Sequence, residues 1–464
     1  MPKKTSPRAI LLVIIGAAIL VRLAIFGYLW VQAEPTYFIL GDSNGYLRIA
    51  NNLALGNGFS QFTDPPYLPD SMRVPILPTI LAASIYAFDS YVPLILLQIL
   101  LSGVLIALTY LLARQVRASD RLSLIAAFLM AFEPYSVYIS TSVVTETIFA
   151  TLLIFGAYMA LRFINNPQAT FMVAASALFG LAALTRPIGE FLPIILILVV
   201  CMRMRFREYP KYLALAVIPF LIVIGPWLMR NHATFGVAAL SSGGLQNAFS
   251  DLGGAIIGVR DHIPTPVAKQ QIEEDYVRRH GIEMATLQTD LSNGSPMFRE
   301  AIGIIVSNPV PTLKVLTSIS ITFFTHDAWT YYLQRWNILP RYTTLFSPSY
   351  TLMTEGPVVA IRQSIEHAGL TLPTAILGRL FWLAISVLFF VGIASLYLAG
   401  GVSRVQALFL LSLVLYLLAL SASVGFGING RFRYPVNALF FTGAAIGGSL
   451  MVIWIKRVIK RISR

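Results

Sequence analysis

Long apolar segments alternate with short polar ones along most of the chain. Ten apolar segments come close to the roughly 20 residues that an α-helix needs to cross a bilayer. They are 9–31, 92–113, 122–139, 143–163, 170–185, 187–203, 211–229, 376–398, 405–425 and 434–455. The pattern therefore predicts an all-α polytopic membrane protein with 10–12 transmembrane helices.

Composition and the placement of charge point the same way. Hydrophobic residues make up 56% of the 464 positions and charged residues 12%, which is too little polar surface to cover a soluble protein of this size. The net charge of +13 comes largely from basic clusters at 3–8, 114–121, 203–211 and 456–464. Because these clusters alternate with apolar segments as cytoplasmic loops do, they indicate topology rather than nucleic-acid binding, and both chain ends are expected in the cytoplasm.

Two long polar segments, 32–91 and 231–375, are expected on the outer side of the membrane. They divide the chain into an N-terminal transmembrane module (1–235), an outward-facing segment (236–375) and C-terminal transmembrane helices (376–464). The loops elsewhere are short, so any chemistry must be built from helix ends and these outer segments.

Three shorter segments are expected to lie at the outer membrane interface. The first follows residue 42 and places four apolar residues on one helical face, at Tyr46, Ile49, Ala50 and Leu53. The second, 75–88, is about 14 residues long and too short to span comfortably. The third, 312–326, is diluted by Ser, Thr and Lys; if it crosses, a second crossing must follow to restore the parity of spans.

Asp42 stands directly before the first of these interfacial helices, in the stretch Gly41-Asp42-Ser43-Asn44-Gly45. Aspartate is a preferred helix N-cap, so a capping role is one interpretation. A carboxylate just outside the membrane is also well placed to act as a general base. The two roles are compatible.

Several arginines depart from the cytoplasmic bias of basic residues and lie at predicted outer helix ends. They are Arg73, Arg186, Arg230, Arg431 and Arg433. One such arginine commonly anchors to lipid headgroups. Several on one face predict an anion site, because the guanidinium fork matches phosphate oxygens and a lipid phosphate is the natural anion there.

Glu133 and Glu146 lie near the outer ends of two neighbouring predicted spans. A carboxylate in that position is costly unless it is paired or hydrated. Both residues are therefore expected either to brace helices through ion pairs with arginine or to orient substrate hydroxyls. Tyr46 and Asn231, which lie close in sequence to Asp42 and Arg230, are expected to support the same site.

The sequence offers no motif for a metal or a nucleotide. It contains neither Asp-x-Asp nor a glycine-rich phosphate loop ending in Lys-Ser/Thr. The five histidines show no metal-ligand spacing, and Cys201 is the only cysteine. We therefore expect neither a metal nor another cofactor.

Taken in order, these motifs resemble landmarks of the GT-C glycosyltransferases. The stretch GDSNGYLRIANNLALGNGFS, followed by RVPILP at 73–78, is similar to their first outer loop, and residues 184–187, 226–231 and 433–435 match later landmarks. The likeness is greatest to bacterial relatives of protein O-mannosyltransferases and of the lipid A aminoarabinose transferase (glycosyltransferase families 39 and 83). It covers 9–235 and 376–455, whereas 236–375 aligns with nothing.

The resemblance implies transfer of a sugar from a polyprenyl-phosphate carrier, on the periplasmic face of a bacterial inner membrane. It assigns Asp42 as the catalytic base of a single inverting displacement. The acceptor could be a glycan, a lipid or a protein. Many relatives have a further acidic residue beside that aspartate, where this chain has Ser43 and Asn44. The main alternative is a transporter or flippase of a lipid-linked or anionic substrate, and a non-catalytic scaffold is a further one.

Overall fold

The computed structural model describes residues 6–32, 37–116, 118–282, 284, 290–340, 348–368, 371–427 and 429–462. Lys3, Lys4, Arg117 and Arg464 of the basic clusters lie outside the described residues. The N-terminal half contains the helices α1 Pro7–Val31, α2 Ser43–Ala54, α3 Ile76–Phe88, α4 Val92–Gln115, α5 Asp120–Phe132, α6 Pro134–Ile139, α7 Glu146–Asn165, α8 Ala169–Ala183, α9 Leu192–Arg203 and α10 Tyr209–Phe235.

The remaining helices begin after a turn at Gly236. They are α11 Gly243–Asn247, α12 Gly253–Asp261, α13 Thr265–His280, α14 Gly294–Ser307, α15 Pro309–Thr325, α16 Trp329–Arg335, α17 Pro348–Thr354, α18 Pro357–Ala368, α19 Thr371–Leu398, α20 Gly401–Ser421, α21 Asn429–Arg433 and α22 Asn437–Ile462. The predicted all-α class is confirmed.

Seven helices in the described part of the chain are long and apolar enough to cross a membrane: α1, α4, α7, α10, α19, α20 and α22. The other three predicted spans coincide with the shorter helices α5, α8 and α9, of 13, 15 and 12 residues. At 1.5 Å per residue these helices are about 18–23 Å long, less than the roughly 30 Å hydrocarbon core. Helix α5 ends at Phe132, and the next residue, Glu133, leaves the helical conformation directly before Pro134. The predicted number of ten spans is therefore not confirmed.

The first two predicted interfacial segments form helices as expected. Helix α2 buries Tyr46, Ile49 and Ala50 on one face, and α3 begins directly after Pro75. The third segment lies in α15, which meets α14 at an angle of 103°; together they could form one broken span or a re-entrant pair.

Helix α19 packs closely against α22, and glycines make this possible. A Cβ atom on Gly392 would lie 2.1 Å from the carbonyl oxygen of Gly443, and one on Gly447 would lie 2.0 Å from that of Leu388. Small residues let helix backbones approach in this way, which is a common means of helix association in membranes.

Part of the segment 236–375 packs into the membrane core. Phe323, Ala328 and Tyr332 belong to the main buried cluster, and the Tyr332 ring stacks on Tyr138 with 3.7 Å between centroids. Phe323, Ala328 and Tyr332 are therefore enclosed by the transmembrane helices, although the neighbouring Tyr331 is exposed. Residues of α12 to α14 and part of α15 form two small buried clusters of their own.

Candidate active site

Asp42 lies in a short segment that is fixed against the start of α7. The Ser43 hydroxyl donates to the Val143 carbonyl oxygen at 2.7 Å and accepts from the Leu40 amide at 2.9 Å. The Val143 amide donates in turn to the Phe38 carbonyl oxygen at 2.8 Å. The position of Asp42 relative to α7 is thus set by the backbone on both sides.

The Asp42 carboxylate occupies the N-cap position of α2 but makes no capping hydrogen bond. It pairs instead with two arginines: Arg431 Nη2 lies 2.7 Å from Oδ2, and Arg73 Nη2 lies 3.6 Å from Oδ1. Burial acts to raise the pKa of Asp42, but the charges of Arg431 and Arg73 outweigh it and lower that pKa to about 2. The side chain remains 40% exposed, so a ligand can reach it.

Glu146, the first residue of α7, is fully buried and holds two arginines together. Arg186 Nη1 lies 2.8 Å from its Oε1, and the Nε of Arg431 donates to the same oxygen. Arg431 therefore bridges Glu146 and Asp42. Arg73, Arg186 and Arg431 contribute three positive charges and the two carboxylates two negative ones, which leaves the cluster with one net positive charge.

Arg73 is held in position through Asp70. The buried Asp70 carboxylate accepts from the Arg73 amide at 2.8 Å and from the Gln61 side chain. Burial raises the pKa of Asp70, although its hydrogen bonds with Arg73 and Gln61 oppose the rise. The Arg73 guanidinium lies over the Tyr46 ring, 4.7 Å from its centroid, which directs it toward Asp42. The Tyr46 ring thus lies beneath the guanidinium group that pairs with Asp42.

Arg230 and Asn231 join the end of α10 to this loop. Arg230 Nη1 donates to the Asp70 carbonyl oxygen at 3.0 Å and to Asn231 Oδ1 at 2.8 Å. Asn231 Nδ2 donates to the carbonyl oxygens of Ala239 and Leu240, at 2.6 and 3.2 Å. Both side chains therefore bond to backbone segments beside the cluster rather than to Asp42 itself.

A cavity of about 810 Å³ opens beside Asp42, within the size range of small-molecule sites. It lies between the helix ends around Asp42 and residues of α11, α13 and α14. Of the residues predicted from sequence, five line it: Asp42, Tyr46, Arg73, Arg186 and Arg431.

The structure does not bring Arg433 and Glu133 to this cavity. Arg433 is buried, donates to the carbonyl oxygens of Phe323 and His326 at 2.5 and 2.6 Å, and lies 3.5 Å from the centroid of the Trp382 ring. The Glu133 carboxylate accepts from the amides of Tyr135 and Ser136 and caps α6. Both side chains hold helix ends in place.

Sequence reasoning missed several residues of the cavity wall. Glu190 and Phe432 lie next to motifs already singled out, and their position at outer helix ends could have identified them. Asp251, Lys269 and Glu273 lie in the segment that aligned with nothing, where no pattern marked them. Among the described residues, no group of three or more His, Cys, Asp or Glu side chains is arranged to hold a metal ion.

Comparison with known proteins gives both a family match and fold matches. Residues 74–229 match the family model described as dolichyl-phosphate-mannose-protein mannosyltransferase. No curated protein matches the chain. Among solved structures, the archaeal oligosaccharyltransferase AglB from Archaeoglobus fulgidus, in complex with an inhibitory peptide and a dolichol-phosphate, is 14% identical. That match covers 97% of this chain and 51% of the archaeal one, with a TM-score of 0.50.

Two further solved structures are similar at lower TM-scores. The Archaeoglobus fulgidus oligosaccharyltransferase complex with Zn and sulfate is 16% identical over 95% of this chain and 49% of its own, with a TM-score of 0.49. ArnT from Cupriavidus metallidurans bound to undecaprenyl phosphate is 15% identical over 92% and 76%, with a TM-score of 0.40.

The chain spans about half the length of the archaeal oligosaccharyltransferases. At these sequence identities the structural similarity shows the fold alone. The resemblance to GT-C glycosyltransferases that the sequence predicted is therefore confirmed for the fold. The chain is an integral membrane protein with the fold of the GT-C superfamily, and its residues 74–229 match the dolichyl-phosphate-mannose-protein mannosyltransferase model within it.

Proposed function

We propose that the chain is a glycosyltransferase that moves a sugar from a polyprenyl-phosphate carrier to an acceptor in the cell envelope. The observation that carries the proposal is the convergence of Asp42 with Arg73, Arg186 and Arg431 at one cavity, from four separate parts of the sequence. The family match at 74–229 supports it, and so does the dolichol-phosphate in the Archaeoglobus fulgidus complex.

The cluster is suited to the phosphate of such a donor. Its single net positive charge balances the single negative charge of a sugar phosphodiester. Arg186 and Arg431 are 15% and 20% exposed, so their outer N–H groups can reach phosphate oxygens while Glu146 holds them from behind. As the glycosidic C–O bond breaks, negative charge grows on the departing phosphate, and guanidinium groups already in place stabilise it.

Asp42 is the general base of this proposal. The acceptor oxygen forms a bond to the anomeric carbon, the bond from that carbon to the phosphate oxygen breaks, and the acceptor proton passes to Asp42. A single displacement of this kind inverts the anomeric centre. With a pKa of about 2, Asp42 is ionised but weakly basic in the free protein. Donor phosphate bound to the same arginines would offset their charge and raise that pKa, so the base strengthens when the donor is present.

The proposal places the reaction on the periplasmic face of a bacterial inner membrane. Basic residues cluster at 203–211 and at the C-terminus, away from the outer helix ends that carry Asp42. Cys201 is the only cysteine and is exposed, which allows a direct topology test. In a Cys201→Ser background, a cysteine introduced in place of the exposed Asp64 should react with a membrane-impermeant maleimide in intact spheroplasts. Cys201 of the unsubstituted protein should not react under the same conditions.

The activity test uses purified protein in nanodiscs with a panel of labelled polyprenyl-phosphate sugars and an envelope extract. Asp42→Asn should lower transfer by about 10²–10⁴-fold, the usual contribution of a positioned base. It should leave binding of undecaprenyl phosphate largely intact. Asp64→Asn, which changes an exposed carboxylate of the same loop, is the matched control and should behave as wild type. Wild-type turnover in Asp42→Asn would refute the assignment, and translocation of the donor without any product would favour a flippase.

A further inference from the structure

The cavity continues well beyond Asp42 and the arginines. Its opposite wall is formed by the helical layer of the outer segment and includes Ser250, Asp251, Lys269, Glu273 and Phe298. If the donor phosphate and sugar occupy the end near Arg431, this second end is the space from which an acceptor reaches Asp42. The chemistry of its lining therefore bears on the acceptor.

The wall has a specific local structure. Residues Ala248–Leu252 form a π-helical turn, a rare conformation that is frequent at functional sites. Two glycines permit close packing around it: a Cβ on Gly425, whose φ is +61°, would lie 2.6 Å from the Asp251 carbonyl oxygen. A Cβ on Gly254 would lie 3.0 Å from the Cα of Lys269. The turn is thus packed against the backbone at Gly425, and the start of α12 is packed against the backbone of α13, which fixes Asp251 and Lys269 relative to each other.

The polar groups on this wall alternate between donors and acceptors. Lys269 Nζ lies 2.6 Å from Asp251 Oδ1, and the two side chains are 36% and 27% exposed. Glu273 follows Lys269 by one helical turn on α13, so both lie on the face toward the cavity. An ammonium group only donates hydrogen bonds and a carboxylate only accepts them, whereas each hydroxyl of a sugar can do both. A pair of adjacent hydroxyls can therefore satisfy a carboxylate and an ammonium side by side.

We propose that this wall, formed by Asp251, Lys269, Glu273 and Phe298, binds a carbohydrate acceptor, so that the product is a glycan extended by one sugar. The inference rests on the proposed function and adds the class of acceptor. Asp251 and Glu273 accept hydrogen bonds from sugar hydroxyls and Lys269 donates to them. The exposed ring of Phe298 offers an apolar surface to the C–H face of the sugar.

The test offers two acceptor fractions from envelopes of cells that lack this protein. One is the protease-treated glycolipid and polysaccharide fraction, and the other is the delipidated protein fraction. The donor is whichever labelled polyprenyl-phosphate sugar the wild-type protein cleaves. Label should enter the protease-treated fraction in a form released by glycosidases. Label bound to protein and released by protease would overturn the inference while leaving the proposed function standing.

Variants then locate the site. Asp251→Asn, Lys269→Met and Glu273→Gln should each raise the apparent KM for the glycan fraction by about 10-fold or more, the usual effect of losing a charged hydrogen bond. Slow hydrolysis of the donor by water, and binding of undecaprenyl phosphate, should stay within about twofold of wild type, which also reports correct folding. Glu274→Gln, at the exposed neighbouring position of α13, is the matched control and should change nothing.

The two possible failures are distinguishable. If the three wall variants transfer to the glycan fraction with an unchanged KM, the wall does not bind the acceptor and the inference is wrong. If wild-type protein cleaves no donor at all, with or without acceptor, the proposed function itself has failed.

Discussion

Arg431 connects the two carboxylates of the site, and its replacement by methionine should change the pH dependence of the reaction. Asp42 must be ionised to act as a base, so kcat/KM falls as the pH drops through the pKa of Asp42 in the free protein. That pKa is lowered to about 2, and Arg431 is the largest of the influences that lower it. As the pH is lowered, kcat/KM of the wild-type protein should therefore stay constant down to about pH 3.

The size of the shift can be worked from the structure. Two unit charges at the 2.7 Å separation of Arg431 Nη2 and Asp42 Oδ2 interact by about 6 kcal/mol at an effective dielectric constant of 20, and by about 1.5 kcal/mol in water. Because Asp42 is 40% exposed, the value for water is the better guide. It corresponds to about one pKa unit, so Arg431→Met should bring the acid limb of kcat/KM to about pH 3–4.

The variant should also lose turnover at neutral pH. In the proposed mechanism Arg431 stabilises the departing phosphate, and loss of one such group costs about 10²–10³-fold in kcat. Arg431→Lys keeps the charge but cannot bond Asp42 and Glu146 together through two nitrogens. It should therefore leave the acid limb near that of wild type while still lowering kcat.

The assay is initial transfer from the labelled donor in nanodiscs between pH 3 and 7. Blanks without protein correct for acid hydrolysis of the donor, and aliquots returned to pH 7 check that the protein has not been inactivated. An acid limb that is unchanged in Arg431→Met would mean that Asp42 is not the base, or that Arg431 does not control it. Wild-type turnover in the same variant would refute the role of the arginine cluster.

Three further predictions follow from the packing. Arg230→Met should lower kcat by about 10-fold because one hydrogen bond to the Asp70 carbonyl oxygen is lost. If the affinity for undecaprenyl phosphate fell by more than about 10-fold, Arg230 would instead contact the phosphate. Arg433→Met should lower thermal stability by several kcal/mol, since two buried carbonyl oxygens lose a charged donor. The affinity for undecaprenyl phosphate should be retained. If stability were retained and affinity lost, Arg433 would bind phosphate after all. Gly392→Ala should destabilise by about 1–3 kcal/mol in thermal unfolding, because its Cβ would meet the Gly443 backbone. Gly16→Ala in α1 meets nothing within 4 Å and should not destabilise, since alanine favours a helix more than glycine does. Equal effects would contradict the close packing of α19 on α22.

Much of the site could be predicted because charged residues are conspicuous at the outer ends of apolar segments. Arg73, Arg186 and Arg431 stood out from the cytoplasmic bias of the other basic residues, and all three reach the cavity. Arg433 stood out equally but is buried in the core. Two residues apart on the short helix α21, Arg431 and Arg433 point about 200° from each other. The Arg431 side chain therefore faces the cavity and the Arg433 side chain faces Trp382. Charge alone does not distinguish the two residues, because the distinction depends on their positions around one helix.

Other features could not be predicted from the hydrophobic pattern. Residues 323–336 contain polar and aromatic positions without clear periodicity, so nothing indicated that Tyr332 would stack on Tyr138 in the core. Nor could the length of an apolar run reveal that α8 and α9 are short. Helices of that length suit a membrane protein when neighbouring protein covers their ends, and such cover depends on tertiary contacts that one sequence does not display.

The balance of charge in the cluster suggests why its arginines are accompanied by two carboxylates. Three guanidinium groups alone would repel one another, and Glu146 and Asp42 reduce their total to one positive charge. A donor phosphodiester then brings the total to zero. In the proposed transfer, Asp42 gains a proton and becomes neutral, while the phosphate gains one negative charge as it leaves. The total therefore stays at zero, and charge moves only a short distance inside a partly desolvated cavity. Such a rearrangement avoids the cost of creating a net charge away from water, and it requires the base and the phosphate to share the same arginines, as Asp42 and the proposed phosphate position do through Arg431.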